Sequence, residues 1–460
     1  MIGRLAVRSL TAHPVRSAVL AAGFGVGVAV MAILLGVAQI VLEQSQSPAL
    51  AGGGEVIIHL TPQLPARLVL SGTLQSDALR PRIRVAAPSD AKALFLIRGK
   101  KAIAVRARGG IPSLERVLGD TETSAVEAWR DSAEDIAWTQ GTPEAVLRYI
   151  DRFHPVPDVS AWSDSWAEWL YFNGTSKDAR FYLTFLVGPV EADARRQAGV
   201  RLQLDRGGVV ESFSQSVRIA EADAMSAPNL TLGASSVRLE GMQYQIHIDL
   251  RDERNGRVVG DLTLAASPGK LVPPLEITGA RGWRSGYVVP VMSGPLNGKL
   301  ELNRQSISFE GASGYHDHNW GFWQGVSWQW GQVQNAGISL IYGRVFPPRE
   351  AADPERIRGF LGVLGPDGPL GHTTDVTIAE TNDARGQPRR IDVHARGRDI
   401  DVSLRFDVES AVTTRTGGSG PRASGLDFLQ LRGTYNASGR AGSQVLNFTA
   451  PGSAETFRGR

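Results

Sequence analysis

The chain has 460 residues, 42% of them apolar and 21% charged, the composition of a folded protein whose length asks for two or three domains rather than one core. Its formal net charge is +3, and Arg4, Arg8 and Arg16 all precede the first acidic residue, Glu43, so the body is near neutral and lacks the basic stripe of a nucleic-acid binder. The absence of cysteine excludes disulfides, thiolate catalysis, cysteine-ligated zinc and lipid attachment at a cysteine.

Residues 1–16 read as a cytoplasmic N-terminus and residues 17–42 as a transmembrane helix. The run from 17 to 41 carries no charge and would extend about 37 Å as a helix, enough for a ~30 Å hydrocarbon core. Arginines precede it and none follows directly, which predicts a single pass through the inner membrane with everything after Glu43 outside the cytoplasm, in the periplasm of a Gram-negative cell. A cleaved signal peptide is the other reading, with Ala49-Leu50-Ala51 as the small-residue site. Gly23 and Gly27 form a GxxxG pair that would allow two helices to approach closely.

Residues 43–54 form a polar tether. Residues 55–152 read as a small α+β module, with strands at 56–60 and 93–97, a helix capped by Thr123 or Ser124 and running to 136, and a second helix begun by Thr142 and Glu144 and reaching 152. From about residue 160 short alternating strands are separated by turn residues every 8–12 positions, the texture of a sandwich or barrel, and 52 glycines with 25 prolines favour a mostly β body. Asn255-Gly256, Asn297-Gly298 and Asp367-Gly368 predict tight turns.

Two segments carry the most information: Arg152-Phe153-His154-Pro155-Val156-Pro157 with Trp166-Ala167-Glu168-Trp169-Leu170-Tyr171-Phe172-Asn173-Gly174, and Gly314-Tyr315-His316-Asp317-His318-Asn319-Trp320-Gly321 with Trp328-Gln329-Trp330. Strand alternation sets Trp166, Glu168, Leu170 and Phe172 on one face and Trp169, Tyr171 and Asn173 on the other. It likewise separates Tyr315, Asp317 and Asn319 from His316, His318 and Trp320. A carboxylate such as Glu168 among aromatics needs a partner or a raised pKa. A metal site using His316 and His318 would need a third ligand that the sequence does not nominate, so no metal is expected.

In order and spacing these segments resemble the carotenoid 1,2-hydratase and AttH-like family over residues 150–460. The resemblance implies two consecutive lipocalin-like (calycin) antiparallel β-barrels, residues 153–326 and 327–460, with a lipophilic ligand in the first barrel or between the two. It implies Asp317 as a catalytic acid with Tyr315 beside it. Trp166, Glu168, Trp169, Tyr171, Trp283, Tyr287, His316, His318, Asn319, Trp320, Trp328 and Trp330 are the ligand-binding candidates. Protonating an isoprenoid alkene gives a tertiary cation that aromatic faces stabilise and water captures, without a cofactor. The stretch from Ala280 to Tyr287 contains no histidine, where the hydratases place one near a tryptophan. The N-terminal Arg4-Leu5-Ala6-Val7-Arg8-Ser9-Leu10 and Ala12-His13-Pro14-Val15-Arg16-Ser17 resemble the lead-in to an ABC-exporter permease. Two functions are therefore expected: an anchored protein that binds and hydrates an isoprenoid- or polyene-like molecule, or a non-enzymatic carrier or accessory subunit of an ABC exporter.

Overall fold

The computed structural model describes residues 82–98, 101–118, 128–132, 135, 142–191, 193–416 and 426–459, with scattered single positions before residue 82. The predicted membrane span at 17–42, the strand at 56–60 and the helix ending at 136 lie wholly or largely outside these residues. Among the described residues no helix is long and apolar enough to cross a membrane.

The chain divides into two compact units. In the smaller, strands Ser89–Arg98 and Lys101–Gly110 form an antiparallel hairpin that contains the predicted strand at 93–97. The helix Pro112–Leu118 follows directly. A Cβ at Gly110 would sit 2.4 Å from Glu115 Oε1, so a larger residue there would displace the Glu115 side chain.

The larger unit takes in residues 60–77 and 141–460, and the helix Pro143–Ile150 opens its second segment. Thr142 caps it by accepting the Ala145 N–H, and proline and Glu144 occupy its first turn, as the sequence predicts. It stops at Ile150 rather than at 152. Read from sequence, this helix closes the segment 55–152. Its apolar face, Val146, Leu147 and Ile150, joins the core of the first barrel.

Two antiparallel sheets make up the rest. The first runs Val209–Ala220, Arg195–Arg206, Ala179–Val190, Trp166–Thr175, Ala312–Phe322, Arg284–Leu302, Gly256–Ala265, Gln243–Asp252, Ser235–Glu240 and Leu230–Leu232, with Val272–Thr278 and Gln305–Ser308 also paired to Arg284–Leu302. The second runs Gly368–Thr373, Phe360–Gly365, Ile338–Phe346, Ser327–Asn335, Gln444–Gly459, Leu426–Ala441, Ile400–Thr416, Pro388–Gly397 and Asp375–Asn382. Val209–Ala220 curls back against Gln243–Asp252, and Gly368–Thr373 against Pro388–Gly397. Each sheet is thereby a nearly closed barrel, which leaves few free edges. The mostly β architecture with two barrels matches the expectation.

Alternation produces the cores. Tyr244, Ile246, Ile248 and Leu250 point into the first barrel, and Val402, Leu404 and Phe406 into the second, as every second residue of a half-buried strand must. A third apolar cluster, including Tyr171, Tyr182, Met292, Tyr315, Trp330 and Leu364, fills the seam where the barrels meet.

The turn predictions divide. The predicted reversal at Asp367-Gly368 is a hairpin between Phe360–Gly365 and Gly368–Thr373 whose turn is Pro366-Asp367, with Gly368 as the first strand residue, and Gly256 opens a strand after the loop at 253–255 with φ +85°. Asn297-Gly298, predicted as a turn, lies inside the long strand Arg284–Leu302. Gly298 has φ +121°, and a Cβ there would meet Asp261 O at 2.2 Å. The left-handed tolerance is used to admit a neighbouring backbone rather than to reverse the chain.

Candidate functional site

The strands Trp166–Thr175 and Ala312–Phe322 are hydrogen-bonded neighbours at the centre of the first sheet, and their register decides what meets what. Glu168 pairs with Trp320, Leu170 with His318 and Phe172 with His316. Trp169 pairs with Asn319, Tyr171 with Asp317 and Asn173 with Tyr315. Residues directly opposite share a face, so one strand pair carries two polar clusters back to back.

The outward cluster lies in the seam. Trp330 Nε1 donates to Tyr287 Oη at 2.9 Å, and the Tyr287 and Tyr315 hydroxyls are 2.7 Å apart. Tyr315 donates to Asp317 Oδ2 at 2.9 Å, while Asn319 donates to Asp317 Oδ1 at 2.8 Å. Because Tyr315 spends its hydrogen on Asp317, the Tyr287 hydroxyl must donate to Tyr315. The result is a one-way chain of donors ending on the carboxyl.

Burial and the neighbouring Glu455 push Asp317 well above the usual carboxylate range, outweighing the bonds from Tyr315 and Asn319. Glu455, from the last strand of the second barrel, is itself pushed up to about 8 by burial, against the Tyr171 hydroxyl and the Gln430 amide. Burial disfavours the charged form of both carboxyl groups, and the charge of Glu455 adds to the shift of Asp317.

Polar contacts tie the barrels together around this pair. Gln332 donates to Asn173 Oδ1 at 3.0 Å, Tyr182 and Ser453 share a 3.0 Å hydrogen bond, and Arg180 donates to Gly452 O at 3.1 Å. A cavity of about 10 Å³, room for one water, opens between the barrels against Tyr182, Gln203, Asp205, Gln430 and Arg432. A larger surface hollow of about 610 Å³ at Asp164, Glu191, Asp193 and Arg218 touches none of the predicted site residues.

The inward cluster is ionic. Asp151, the C-cap of the helix Pro143–Ile150, accepts from Tyr244 Oη at 3.0 Å and lies 2.8 Å from His316 Nε2. His316 Nδ1 donates to Tyr171 O at 2.9 Å. Glu168 Oε1 lies 2.8 Å from His318 Nε2 and 2.7 Å from His154 Nδ1. Burial alone would raise Asp151 and Glu168, but their histidines hold both below the usual range. Burial alone would depress His318, but Asp151 and Glu168 lift it to about 9. His154 stacks on Trp320 at 4.5 Å.

The predicted site residues therefore do not converge on one point. Tyr315, Asp317, Asn319, Tyr171, Tyr287 and Trp330 meet in the seam, with Trp169 and Trp328 in an adjoining aromatic group completed by Trp323. Trp166, Glu168, Trp283, His316, His318 and Trp320 are in the first barrel. Trp283 Nε1 donates to Phe322 O, so this ring, with Trp320, serves the barrel and not Asp317. The first barrel's interior holds Trp166, Phe172, Phe181, Phe185, Phe213 and Tyr244, all fully buried, where the resemblance led one to expect a ligand cavity.

The metal reading also changes. His316 and His318 share a face as predicted, but His318 meets His154 and Glu168 instead, because a residue 14 positions before Glu168 is brought under it by the chain's return from the helix. Sequence reasoning assigned no role to Asp151, His154, Gln430 or Glu455. For the first two the signal was available in the quoted Arg152-Phe153-His154 segment. For Glu455 the only signal was a lone acid in the strand Gln444–Gly459, between Ala454 and Thr456.

One glycine guards this arrangement. Gly286 pairs with Trp320, and a Cβ there would lie 1.9 Å from the indole. Gly286→Ala is expected to push Trp320 off His154 and to cost about 1–3 kcal/mol, the usual penalty of overpacking. Thermal unfolding of the variant measures this, and an unchanged Tm would refute it.

No protein-family model matches the sequence, and no curated protein matches it. Solved structures are similar in shape. CghA with Sch210972 is 12% identical, with 69% of this chain and 94% of that chain covered and a TM-score of 0.45. A putative AttH from Nitrosomonas europaea is 14% identical, covering 66% and 99%, with a TM-score of 0.43. Kievitone hydratase from Nectria haematococca is 12% identical, covering 66% and 94%, with a TM-score of 0.43. Likenesses of this size assign no activity, and the chemistry of the chain rests on its own residues.

Proposed function

We propose that the seam between the barrels, whose cavity of about 10 Å³ has room for one water and which must part to admit a larger molecule, is an acid-catalysis site for a lipophilic, isoprenoid- or polyene-like small molecule, with Asp317 as the proton donor and Tyr315 holding it. The observation that carries this reading is the Asp317 carboxyl, buried at the end of the Trp330–Tyr287–Tyr315 donor chain and beside Glu455. An acid that protonates an alkene must arrive protonated, and burial beside a second carboxyl shifts Asp317 in that direction.

The reaction balances without a cofactor. The Asp317 proton adds to the less substituted alkene carbon, the π pair forms the new C–H bond, and a tertiary cation remains. The rings of Tyr171, Tyr287, Tyr315 and Trp330 border the carboxyl, and each well-oriented face stabilises such a cation by about 0.5–2 kcal/mol. Water attacks the cation and its extra proton returns to Asp317, so the sum is hydration of the double bond. Under this proposal residues 17–42 hold the chain at the outer face of the inner membrane, where an apolar substrate partitions.

The test is mass spectrometry of small molecules extracted from the detergent-purified full chain, wild type against Asp317→Asn. An isoprenoid pair differing by one water, with the hydrated member missing from the variant, is the expected result. One unchanged lipid bound to both proteins would sink catalysis and leave a carrier, to which an exporter would co-purify.

A further inference from the structure

The ionic cluster inside the first barrel takes no part in the proton transfer proposed for the seam, yet its geometry is that of a ligand set. His154 Nδ1, a Glu168 carboxylate oxygen and His318 Nε2 lie within 4.8 Å of one another. These atoms come from the segment after the helix Pro143–Ile150 and from the two central strands, so rigid sheet holds two of the three. Two imidazoles and a carboxylate suit first-row divalent ions. A tetrahedral ion at about 2.0–2.1 Å from each donor spaces them roughly 3.3 Å apart. Glu168 Oε1 is now 2.7 and 2.8 Å from the two ring nitrogens, so each ring need retreat by only a fraction of an ångström.

The surroundings fit the same reading. His318 Nδ1 and Asp151 Oδ1 face each other at 3.3 Å, both buried and neither with a hydrogen-bond partner. Coordination through Nε2 would fix the ring's proton on Nδ1 and turn it toward Asp151, the carboxylate–histidine arrangement that orients metal-bound imidazoles. The second Glu168 oxygen accepts the His154 backbone N–H at 2.9 Å, which fixes the carboxylate. Arg196, the buried cation whose charge reaches Glu168, is answered by Glu221 at 3.4 Å and by Gly188 O at 2.7 Å. His154 is 34% exposed while Glu168 and His318 are fully buried, so an ion can enter from the His154 side and keep one position open to solvent.

We propose that His154, Glu168 and His318 bind one first-row divalent ion of the Zn²⁺ type, with Asp151 positioning His318 and a fourth position beside Trp320 open to water. Binding replaces the hydrogen on His318 Nε2 by the metal and releases that proton to solvent.

The test is a Co²⁺ titration of the chelator-treated, detergent-purified full chain. Wild type is expected to take up one Co²⁺ with the visible absorption of a tetrahedral site and to release it to Zn²⁺. His154→Ala, whose side chain is the exposed member, is expected to bind more than about 100-fold more weakly with unchanged circular dichroism. His394→Ala, an exposed histidine of the second barrel, should bind as wild type does. So should Asp317→Asn, which separates this site from the seam. No visible band and no bound metal in the wild type, or equal affinity in His154→Ala, overturns the proposal.

Discussion

Replacing Asp151 by alanine is expected to cost the larger unit about 3–5 kcal/mol of folding stability. Asp151 is fully buried and is held ionised by His316 and His318, which outweigh the burial that opposes its charge. His318, lifted to about 9 by Asp151 and Glu168, would be left with one carboxylate in place of two. His316 Nε2 would lose its 2.8 Å partner, and the Tyr244 hydroxyl its acceptor. Removing one member of a buried ionic group costs more than the group contributes in sum, because the remaining charge stays in an apolar interior. Tyr244→Phe deletes a single neutral donor and should cost only about 1 kcal/mol. Urea unfolding of both variants at pH 7, followed by tryptophan emission, measures the two losses. Equal losses would mean that Asp151 acts as a spacer and not as the counter-ion of the histidines.

Glu455→Gln is expected to stabilise the protein at alkaline pH by several kcal/mol and to leave it unchanged near pH 5. Burial pushes the carboxyl up to about 8 in the fold from its ordinary 4.5. Between those values the native state keeps a proton that the unfolded chain has released. Stability therefore falls with rising pH, by about 1.36 kcal/mol per unit for one such group. The contribution is complete below pH 4.5, is lost as pH rises through 8, and totals on the order of 5 kcal/mol. His318 acts with the same sign: its stabilisation is full below 6.5 and is lost as pH rises through about 9. The glutamine variant should lose the Glu455 part of the decline and keep the parts due to His318 and to the buried Asp317. Urea midpoints from pH 5 to 9.5 decide this, and curves that run parallel over the whole range would refute a protonated Glu455.

Much of this could be read along the chain. The strand texture after residue 160, the Thr142 cap and the Asp367-Gly368 hairpin depend on contacts within a few residues, where periodicity and turn chemistry act directly. The separation of Tyr315, Asp317 and Asn319 from His316, His318 and Trp320 also follows from the pleat alone. Asn297-Gly298 misled because a glycine serves a tight turn and a close backbone approach equally well, and only the presence of Asp261 beside Gly298 distinguishes them.

By itself, then, the sequence determined the mostly β class, the neutral cysteine-free body and the two faces of the central strand. Which partner each face would meet was a tertiary decision. The Asp317 carboxyl is pushed up by its burial and, next, by Glu455, which the last strand of a second barrel brings near from 138 positions away. His318 is lifted to about 9 because a helix ending at Asp151 delivers that carboxylate to the same face of the sheet on which Glu168 meets it. Local pattern specifies where a side chain points, but its charge state depends on burial and on neighbouring charges, and both are set by which distant strands come to lie across from it.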